Sequence, residues 1–315
     1  MKIYRDINNF KVKIPVLSIG TFDGVHLGHL QIIKYLIDIS DKVNGESVIL
    51  TFWPHPRHVL FNRGEKTPIL TTIDERIERF KKSGIDHLII HPFTVDFAKL
   101  SGRDFIEKML IKQLNIKHLV VGYDHQFGKD RQGSIELLEN YRDNYFKIYR
   151  VDPHKLNGIN ISSTKIRRLL EQGDIQTANM YLGYNYSITG KVVKGDMLGS
   201  KLGFPTANIQ LNHFMKHVPG VGVYAVFVYV NNKKYDGMLN IGYRPTISRN
   251  FRSRQIEVHI FNFHDNLYGK NITVSFIDRI RDEIKFDNTE KLKEQLTKDE
   301  IITKSIIEKY KSEQL

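Results

Sequence analysis

The chain of 315 residues contains no cysteine. That excludes a disulfide framework, a thiolate nucleophile and a cysteine-ligated zinc site. Long apolar runs are also missing, so no segment reads as a bilayer span. The first residues, MKIYRDINNFKVKIPV, lack the apolar core of a signal peptide. The expectation is a cytoplasmic protein with no membrane partner. No internal repeat and no low-complexity tract interrupts the chain. No Walker-type lysine follows the glycine turn after the first apolar strand, so phosphate groups there would be held differently from those in a P-loop. Charge is unbalanced but not blocked: 47 Lys and Arg against 35 Asp and Glu give a net charge of +12, scattered along the sequence. Such a surface suits plain solvation or a polyanionic small molecule.

A 41% hydrophobic and 26% charged composition is that of a globular protein, and this length favours two domains. Two textures divide the chain. Up to about Gly183, short apolar strands alternate with amphipathic helices. VLSIGTF from Val16, SVILTFW from Ser47, HLIIHPF from His87, HLVVGYD from His118 and FKIYRV from Phe146 read as buried strands. HLQIIKYLIDIS from His29, DERIERFKKSG from Asp74 and RDFIEKMLIKQL from Arg103 read as helices. Alternation of this kind predicts a parallel sheet with right-handed crossovers, a Rossmann-like α/β domain whose ligands sit beyond the carboxyl ends of the strands. From about Tyr186 the segments YSITGKVV, GVYAVFVYV, KKYDGMLNIG, RQIEVHIFNF and NITVSFIDRI are strand-like and separated by turns. They predict an antiparallel barrel or sandwich, with a terminal helix from Thr289 placed to cover it. ISSTKIRRLLEQGDIQTANMYLG reads as a helical connector. The expected boundary divides residues 1–183 from 184–315.

The strongest local signal is SIGTFDGVHLGHLQII from Ser18. A buried strand ends in a glycine turn containing Gly20, Phe22, Asp23 and Gly24. His26 and His29 then bracket a helix start. Glycines admit close approach of a phosphate to the backbone, the helix terminus offers unpaired N–H groups, and two imidazoles there can donate hydrogen bonds to phosphate oxygens. Taken alone, His55 between two prolines reads equally as a turn residue, and Ser162, Ser163 and Thr164 as helix caps. In the second half, GDMLGSKLGFPTANIQL from Gly195 places three glycines before Thr206 and Asn208. Those two residues face one side of an extended segment and offer two hard oxygens to a magnesium ion. Alone, they read equally as an ordinary strand entry, and Glu257 as a surface acid.

As longer strings these segments are specific. GTFDGVHLGH, TFWPHPRHVL from Thr51, VGYDHQFGKDRQG from Val121 and ISSTKIRRLLEQGDI from Ile161 resemble, in order, the adenylyltransferase module of bacterial bifunctional riboflavin kinase/FAD synthetases. LGFPTAN, VPGVGVYAV from Val218, NIGYRPTI from Asn240, IEVHIFNFHDNLYGK from Ile256 and RIRDEIKF from Arg279 resemble its kinase module. The resemblance covers nearly the whole chain. It implies a nucleotidyltransferase fold followed by a six-stranded antiparallel barrel. The implied activities are phosphorylation of riboflavin to FMN, then adenylylation of FMN to FAD, with ATP as co-substrate and Mg2+ as metal.

By that resemblance, His26 and His29 bind the ATP phosphates, and Ser162, Ser163, Thr164 and Arg167 form an opposing clamp. Gly20, Phe22, Asp23, Gly24, His55 and Asp124 belong to the same ATP site, and Phe127 stacks on the flavin. In the barrel, Gly195, Lys201 and Gly203 approach ATP, Thr206 and Asn208 hold the metal, Glu257 is the general base and Arg281 contacts the flavin phosphate region. Two departures from the family pattern stand out: His125-Gln126 beside Phe127, and Ser200 where an arginine is usual, with Lys201 as the nearest cation.

The chemistry of the two halves differs. A phosphate monoester is largely ionised near neutral pH and attacks without a base, so alignment and charge neutralisation suffice. An alcohol needs a positioned base, worth about a hundred- to ten-thousand-fold. The implied partners are riboflavin, FMN and ATP, on a monomer or weak homo-oligomer with no nucleic acid. Two other readings stay open at this level. One is a nucleotidyltransferase for a different phosphorylated metabolite, with the barrel as accessory. The other is a nucleic-acid binder stacking bases on aromatic residues of GVYAVFVYV.

Overall fold

The computed structural model describes residues 1–60, 67–123, 126–129, 133–156, 158–195, 199, 202–243 and 254–313. The chain divides into two compact units, Met1–Ser163 and Thr164–Leu315.

In the first unit the strands are β1 (Lys2–Tyr4), β2 (Pro15–Ile19), β3 (Glu46–Trp53), β4 (His87–Pro92), β5 (His118–Gly122) and β6 (Lys147–Val151). They form one sheet in the order β1-β4-β3-β2-β5-β6, parallel throughout. Every residue of β2 is buried because both faces of the sheet are covered. Side-chain alternation sorts its neighbours into two cores. Leu17, Val48 and Ile89 face a cluster with Phe105, Met109 and Leu110. Val16, Ile49 and Leu88 face a second cluster with Ile33, Leu36 and Phe80.

The helices of this unit are α1 (Leu27–Lys42), α2 (Pro56–Leu60), α3 (Ile73–Ser83), α4 (Val95–Ala98), α5 (Gly102–Asp104) and α6 (Ile135–Glu139). A capping box between Thr72 and Glu75 starts α3, and Gly84 in the left-handed conformation ends it. The segment after α5 departs from the expected regular helix. Phe105–Gln113 is wound more widely, with an i→i−5 bond from Leu114 N–H to Met109 O (2.9 Å). The wider turn lets Phe105, Ile106, Met109 and Leu110 all face the sheet.

The chain runs outward from β2 through β3 to β4 on one side, then crosses to β5 and β6 on the other. Strand order therefore reverses between β2 and β5, the kind of switch point beyond whose carboxyl ends open α/β sheets bind ligands. The GTFDGVHLGH turn leaves β2 at that end.

In the second unit the expected single connector is two helices, α7 (Ser163–Gln172, whose first turn contains the division between the units) and α8 (Ile175–Leu182). Gly173 at φ +77° and the cap of Asp174 on Thr177 N break them. Beyond the two-residue strands β7 (Lys155–Leu156) and β8 (Ile159–Asn160) of the first unit, the remaining strands are β9 (Ser187–Val193), β10 (Ala207–Leu211), β11 (Gly222–Val230), β12 (Lys233–Tyr243), β13 (Arg254–Ile260) and β14 (Asn271–Arg281). They close a six-stranded antiparallel barrel in the order β10-β13-β12-β11-β14-β9. The terminal helix α9 (Thr289–Ser312) presents Ile307 to Ala225, Phe227 and Ile277. Strand β11 is therefore buried on both sides: Tyr224 and Phe227 are enclosed, and Tyr229 remains exposed. No described helix is long and apolar enough to cross a membrane.

Candidate functional site

Beyond β2 the backbone enters unusual conformations. Phe22 has φ +49°, Gly24 +88° and Val25 +38°. A β-branched residue in that region is strained and needs a surrounding that holds it. Asp23 supplies much of the restraint. Its buried carboxylate accepts Leu70 N–H (2.9 Å), Thr71 N–H (3.0 Å) and Thr71 Oγ1–H (3.3 Å). Thr71 Oγ1 in turn accepts Gly24 N–H at 2.9 Å. The backbone oxygen of Asp23 accepts the Ser163 hydroxyl at 2.8 Å, which brings the first residue of α7 to the turn. Gly20 lies under the Phe22 ring, with 3.0 Å between a built Cβ and that ring.

His26 caps α1: its Nδ1 accepts the backbone N–H of His29 at 3.3 Å. A ring nitrogen that accepts carries no proton, so the neutral His26 ring keeps its proton on Nε2. The His29 ring stacks on His26 with centroids 3.6 Å apart and planes 16° apart. Burial, then the charges of His26 and of the Arg76 guanidinium, holds the His29 pKa well below 6.5. His29 is thus a neutral hydrogen-bonding group at neutral pH. Its Nδ1 is buried without a hydrogen-bond partner among the described residues.

Arg76 is a residue that the motif reading missed. It is fully buried, donates to Thr51 Oγ1 (3.3 Å) and Thr71 O (3.4 Å), and lies over the Trp53 ring. A signal was present: Ile73, Arg76, Ile77 and Phe80 form the buried stripe of α3, and a charge on such a stripe is unusual.

The other expected residues of this half fall as follows. His55 is buried just after β3, with Nδ1 accepting Arg57 N–H at 3.2 Å. Ser162 and Ser163 are half-buried at the start of α7. Thr164 and Arg167 lie in the first turns of that helix, in the second unit, with Arg167 donating to Thr164 Oγ1 at 3.4 Å. Phe127 pairs with Gly133 through two backbone hydrogen bonds and sets its half-buried ring 5.5 Å from Phe105. Asp124 and Lys201, with the neighbouring His125 and Ser200, lie outside the described residues.

In the barrel, the register brings separate motifs together. Asn208 on β10 and Asn240 on β12 both stand opposite Glu257 on β13. Thr206, Asn240, Glu257 and Arg281 line one cavity of about 200 Å3. His259 fixes the strand entry through a 2.7 Å hydrogen bond between Nδ1 and Pro205 O, which places its proton on Nδ1. Gly195 and Gly199 lie against the two candidate metal ligands. A Cβ on Gly195 would come 1.9 Å from Asn208 Nδ2, and one on Gly199 would come 3.4 Å from Thr206 Oγ1. Glycine is required at 195 because the Asn208 amide occupies the space of a side chain. Gly203, at φ +89°, completes the turn before Phe204.

Arg281 reaches the same cavity from β14, and its partner was not anticipated. Asp299 of α9 is fully buried and takes the guanidinium through contacts of 2.7, 2.9 and 3.1 Å. Gln295 Nε2 donates to the same carboxylate at 2.8 Å.

Fold and sites together define a parallel nucleotidyltransferase-like unit joined to a flavokinase-like closed barrel. Residues 11–165 match the FAD synthetase family and residues 182–307 match the riboflavin kinase family. Among curated proteins, the bifunctional riboflavin kinase/FMN adenylyltransferase of Listeria monocytogenes is 38% identical, over 97% of this chain and 95% of the relative. The protein of that name from Buchnera aphidicola subsp. Schizaphis graminum is 42% identical, over 96% and 98%. That of Escherichia coli K12 is 36% identical, over 96% of each. A crystal structure described as a macrolide-efflux protein from Streptococcus pneumoniae superposes with a TM-score of 0.86 at 31% identity, covering 96% of this chain and 98% of that one. The chain belongs to the family of bifunctional riboflavin kinase/FMN adenylyltransferases.

Proposed function

We propose that this protein makes FAD from riboflavin in two ATP-dependent steps, each in its own folded half. The observation that carries the reading is the tiling of the chain by the two family matches, 11–165 on the parallel sheet and 182–307 on the barrel. We place the functional boundary at 183/184, where Gly183 in the left-handed conformation ends α8. Helices α7 and α8 also hydrogen-bond to the barrel unit, as in Asn179 Nδ2 to Phe276 O at 2.9 Å.

The kinase step transfers the γ-phosphoryl of ATP to the 5′-hydroxyl of riboflavin. Glu257 takes the hydroxyl proton as the oxygen bonds to phosphorus and ADP leaves. Its position opposite Asn208 and Asn240, inside the cavity, supports the role. The Thr206 hydroxyl and the Asn208 amide oxygen are hard donors that fit Mg2+, an ion that keeps waters and phosphate oxygens as its other ligands. The close approach of Gly195 and Gly199 to these two side chains supports that fit, because a glycine at each position adds no side chain beside the ion. When bound, Mg2+ neutralises charge on the transferring phosphates. Gly195, Lys201 and Gly203 are assigned to ATP, and Arg281 to the flavin side.

The adenylyl step needs no base. A phosphate oxygen of FMN attacks the α-phosphorus of ATP and pyrophosphate leaves. His26 and His29 donate hydrogen bonds to the phosphates as charge develops. The buried Nδ1 of His29 supports this, since a bound phosphate satisfies such a group. Ser162, Ser163, Thr164 and Arg167 are assigned to the opposite side of the phosphates, and Gly20, Phe22, Gly24, His55 and Asp124 to ATP. Asp23 acts by holding the turn, since its carboxylate is engaged by Leu70 and Thr71. Phe127 is assigned to the flavin. We place the protein in the cytoplasm.

The test is to incubate the full-length protein with riboflavin, ATP and Mg2+ and separate the flavins by chromatography. FMN is expected first, then FAD. His29→Ala is expected to stop at FMN, and Glu257→Ala to convert supplied FMN but not riboflavin. A folded variant of either kind that lost both activities would overturn the assignment of separate sites.

A further inference from the structure

Between the candidate base and the candidate metal asparagine stands Gln255, which no motif includes. It lies two residues before Glu257 on β13, so both side chains leave the same face of the strand. Its Nε2 donates to Glu257 Oε1 at 2.5 Å and to Asn208 Oδ1 at 2.7 Å. One amide nitrogen thus uses both of its hydrogens on two groups from different strands. Both targets are acceptors, which fixes the amide orientation: the nitrogen, not the oxygen, must face them. On the other side of Asn208, a Cβ on Gly195 would come 1.9 Å from Nδ2, so only glycine there leaves room for this amide.

We propose that Gln255 is the positioning residue of the kinase half, a clasp that holds the Glu257 carboxylate and the Asn208 amide oxygen in one mutual geometry. This rests on the roles given above to Glu257 and Asn208. Without the clasp, each side chain regains rotamers that point away from the other. Proton removal from the hydroxyl and phosphate placement would then no longer coincide in space, and alignment of this kind is what a phosphoryl transfer depends on. Glu257 Oε1 and Asn208 Oδ1 are the two oxygens that the clasp engages. Asn208 Oδ1 keeps one lone pair for a cation while the other accepts from Gln255.

The test uses full-length protein carrying Gln255→Met, which keeps the length and removes both donors, and Gln255→Glu, which keeps the shape and places an acceptor against two acceptors. For Gln255→Met the kinase kcat is expected to fall about ten- to a hundredfold, the size expected for losing the hydrogen bond that aligns the Glu257 carboxylate. The KM for riboflavin is expected to stay within about twofold. Gln255→Glu is expected to fall further. Conversion of FMN to FAD stays at the wild-type rate in both, which confines the loss to the kinase half, and far-ultraviolet circular dichroism checks that the barrel is folded. A readout without turnover accompanies the rates: Mg-ADP is titrated calorimetrically, and the phase that Asn208→Ala removes is expected to weaken about tenfold in Gln255→Met.

Wild-type kcat and Mg-ADP affinity in Gln255→Met would overturn the proposal. So would a lower kcat with unchanged Mg-ADP binding and a lowered melting temperature, which assigns Gln255 to barrel stability alone. Equal rates in the Met and Glu variants would also overturn it. Failure of the underlying reading looks different: Asn208→Ala and Glu257→Ala would then themselves keep kinase activity.

Discussion

Replacing Asp299 tests how strongly the terminal helix is bound into the kinase half. The carboxylate is fully buried and the Arg281 side chain is 17% exposed. Arg281 grips both oxygens, through Nε at 2.9 and 3.1 Å and through one terminal nitrogen at 2.7 Å, and Gln295 adds a donor. Alanine at 299 leaves a guanidinium largely desolvated opposite an apolar methyl. Removing one partner of a buried pair costs about 3–5 kcal/mol. The lower end applies here, because Arg281 also donates to Asp282 O at 2.8 Å and keeps that bond. For a unit of this size about 3 kcal/mol corresponds to a drop of roughly 10 °C in melting temperature. Asp299→Asn keeps an oxygen for Arg281 and should lose about half as much. The assay is thermal and urea unfolding followed by far-ultraviolet circular dichroism. The chain has a single tryptophan, Trp53, which lies in the amino-terminal unit, so its fluorescence reports the other half. The pair Asp299→Leu and Arg281→Met, made together, should recover most of the loss, since an apolar pair carries no desolvation cost. A loss below about 1 kcal/mol for Asp299→Ala, or a double variant no better than the single ones, would refute the reasoning.

Two further predictions concern the sites. The pKa of His29 lies well below 6.5 in the folded chain, so below pH 6.5 the unfolded state binds more protons at this position. Stability is therefore full above pH 6.5 and falls as pH drops from 6.5 toward the folded value, by up to about 1.4 kcal/mol per pH unit. His91 and His118, also lowered mainly by burial, act in the same direction. Urea melts at pH 7.5, 6.5 and 5.5 should show the slope, and His29→Gln should flatten it; an unchanged slope would contradict the placement. Gly195→Ala should cut riboflavin phosphorylation by about tenfold or more through the contact with Asn208 Nδ2 while FMN adenylylation persists, and a wild-type kinase rate would remove that loop from the site.

The fold was legible because both halves obey strong periodicities. β2 to β6 are apolar runs separated by amphipathic helices, and the barrel strands β9 and β13 alternate along their length. The positions of His26 and His29 at a helix start, and of Thr206 and Asn208 at a strand entry, also follow from local pattern. What escaped was long-range. Asp23 reads as a site acid, yet its partners lie 47 and 48 residues away, and no local rule pairs it with Leu70 and Thr71. Gln255 reads as an ordinary strand residue until the barrel closes and sets β10 beside β13. Asp299 carried a readable signal. It falls between Leu296 and Thr303 on the helix stripe that also carries Ile307, so an acid sits where an apolar residue belongs. The broken connector was also legible in principle, from Gly173 followed by the capping Asp174.

The most direct measurement is complementation between two crippled full-length proteins, His29→Ala and Glu257→Ala, supplied with riboflavin, ATP and Mg2+. Neither alone should make FAD, and their equimolar mixture should, with FMN released by the first and adenylylated by the second. FAD from either protein alone, or none from the mixture while free FMN accumulates, would contradict two chemically distinct sites in one chain.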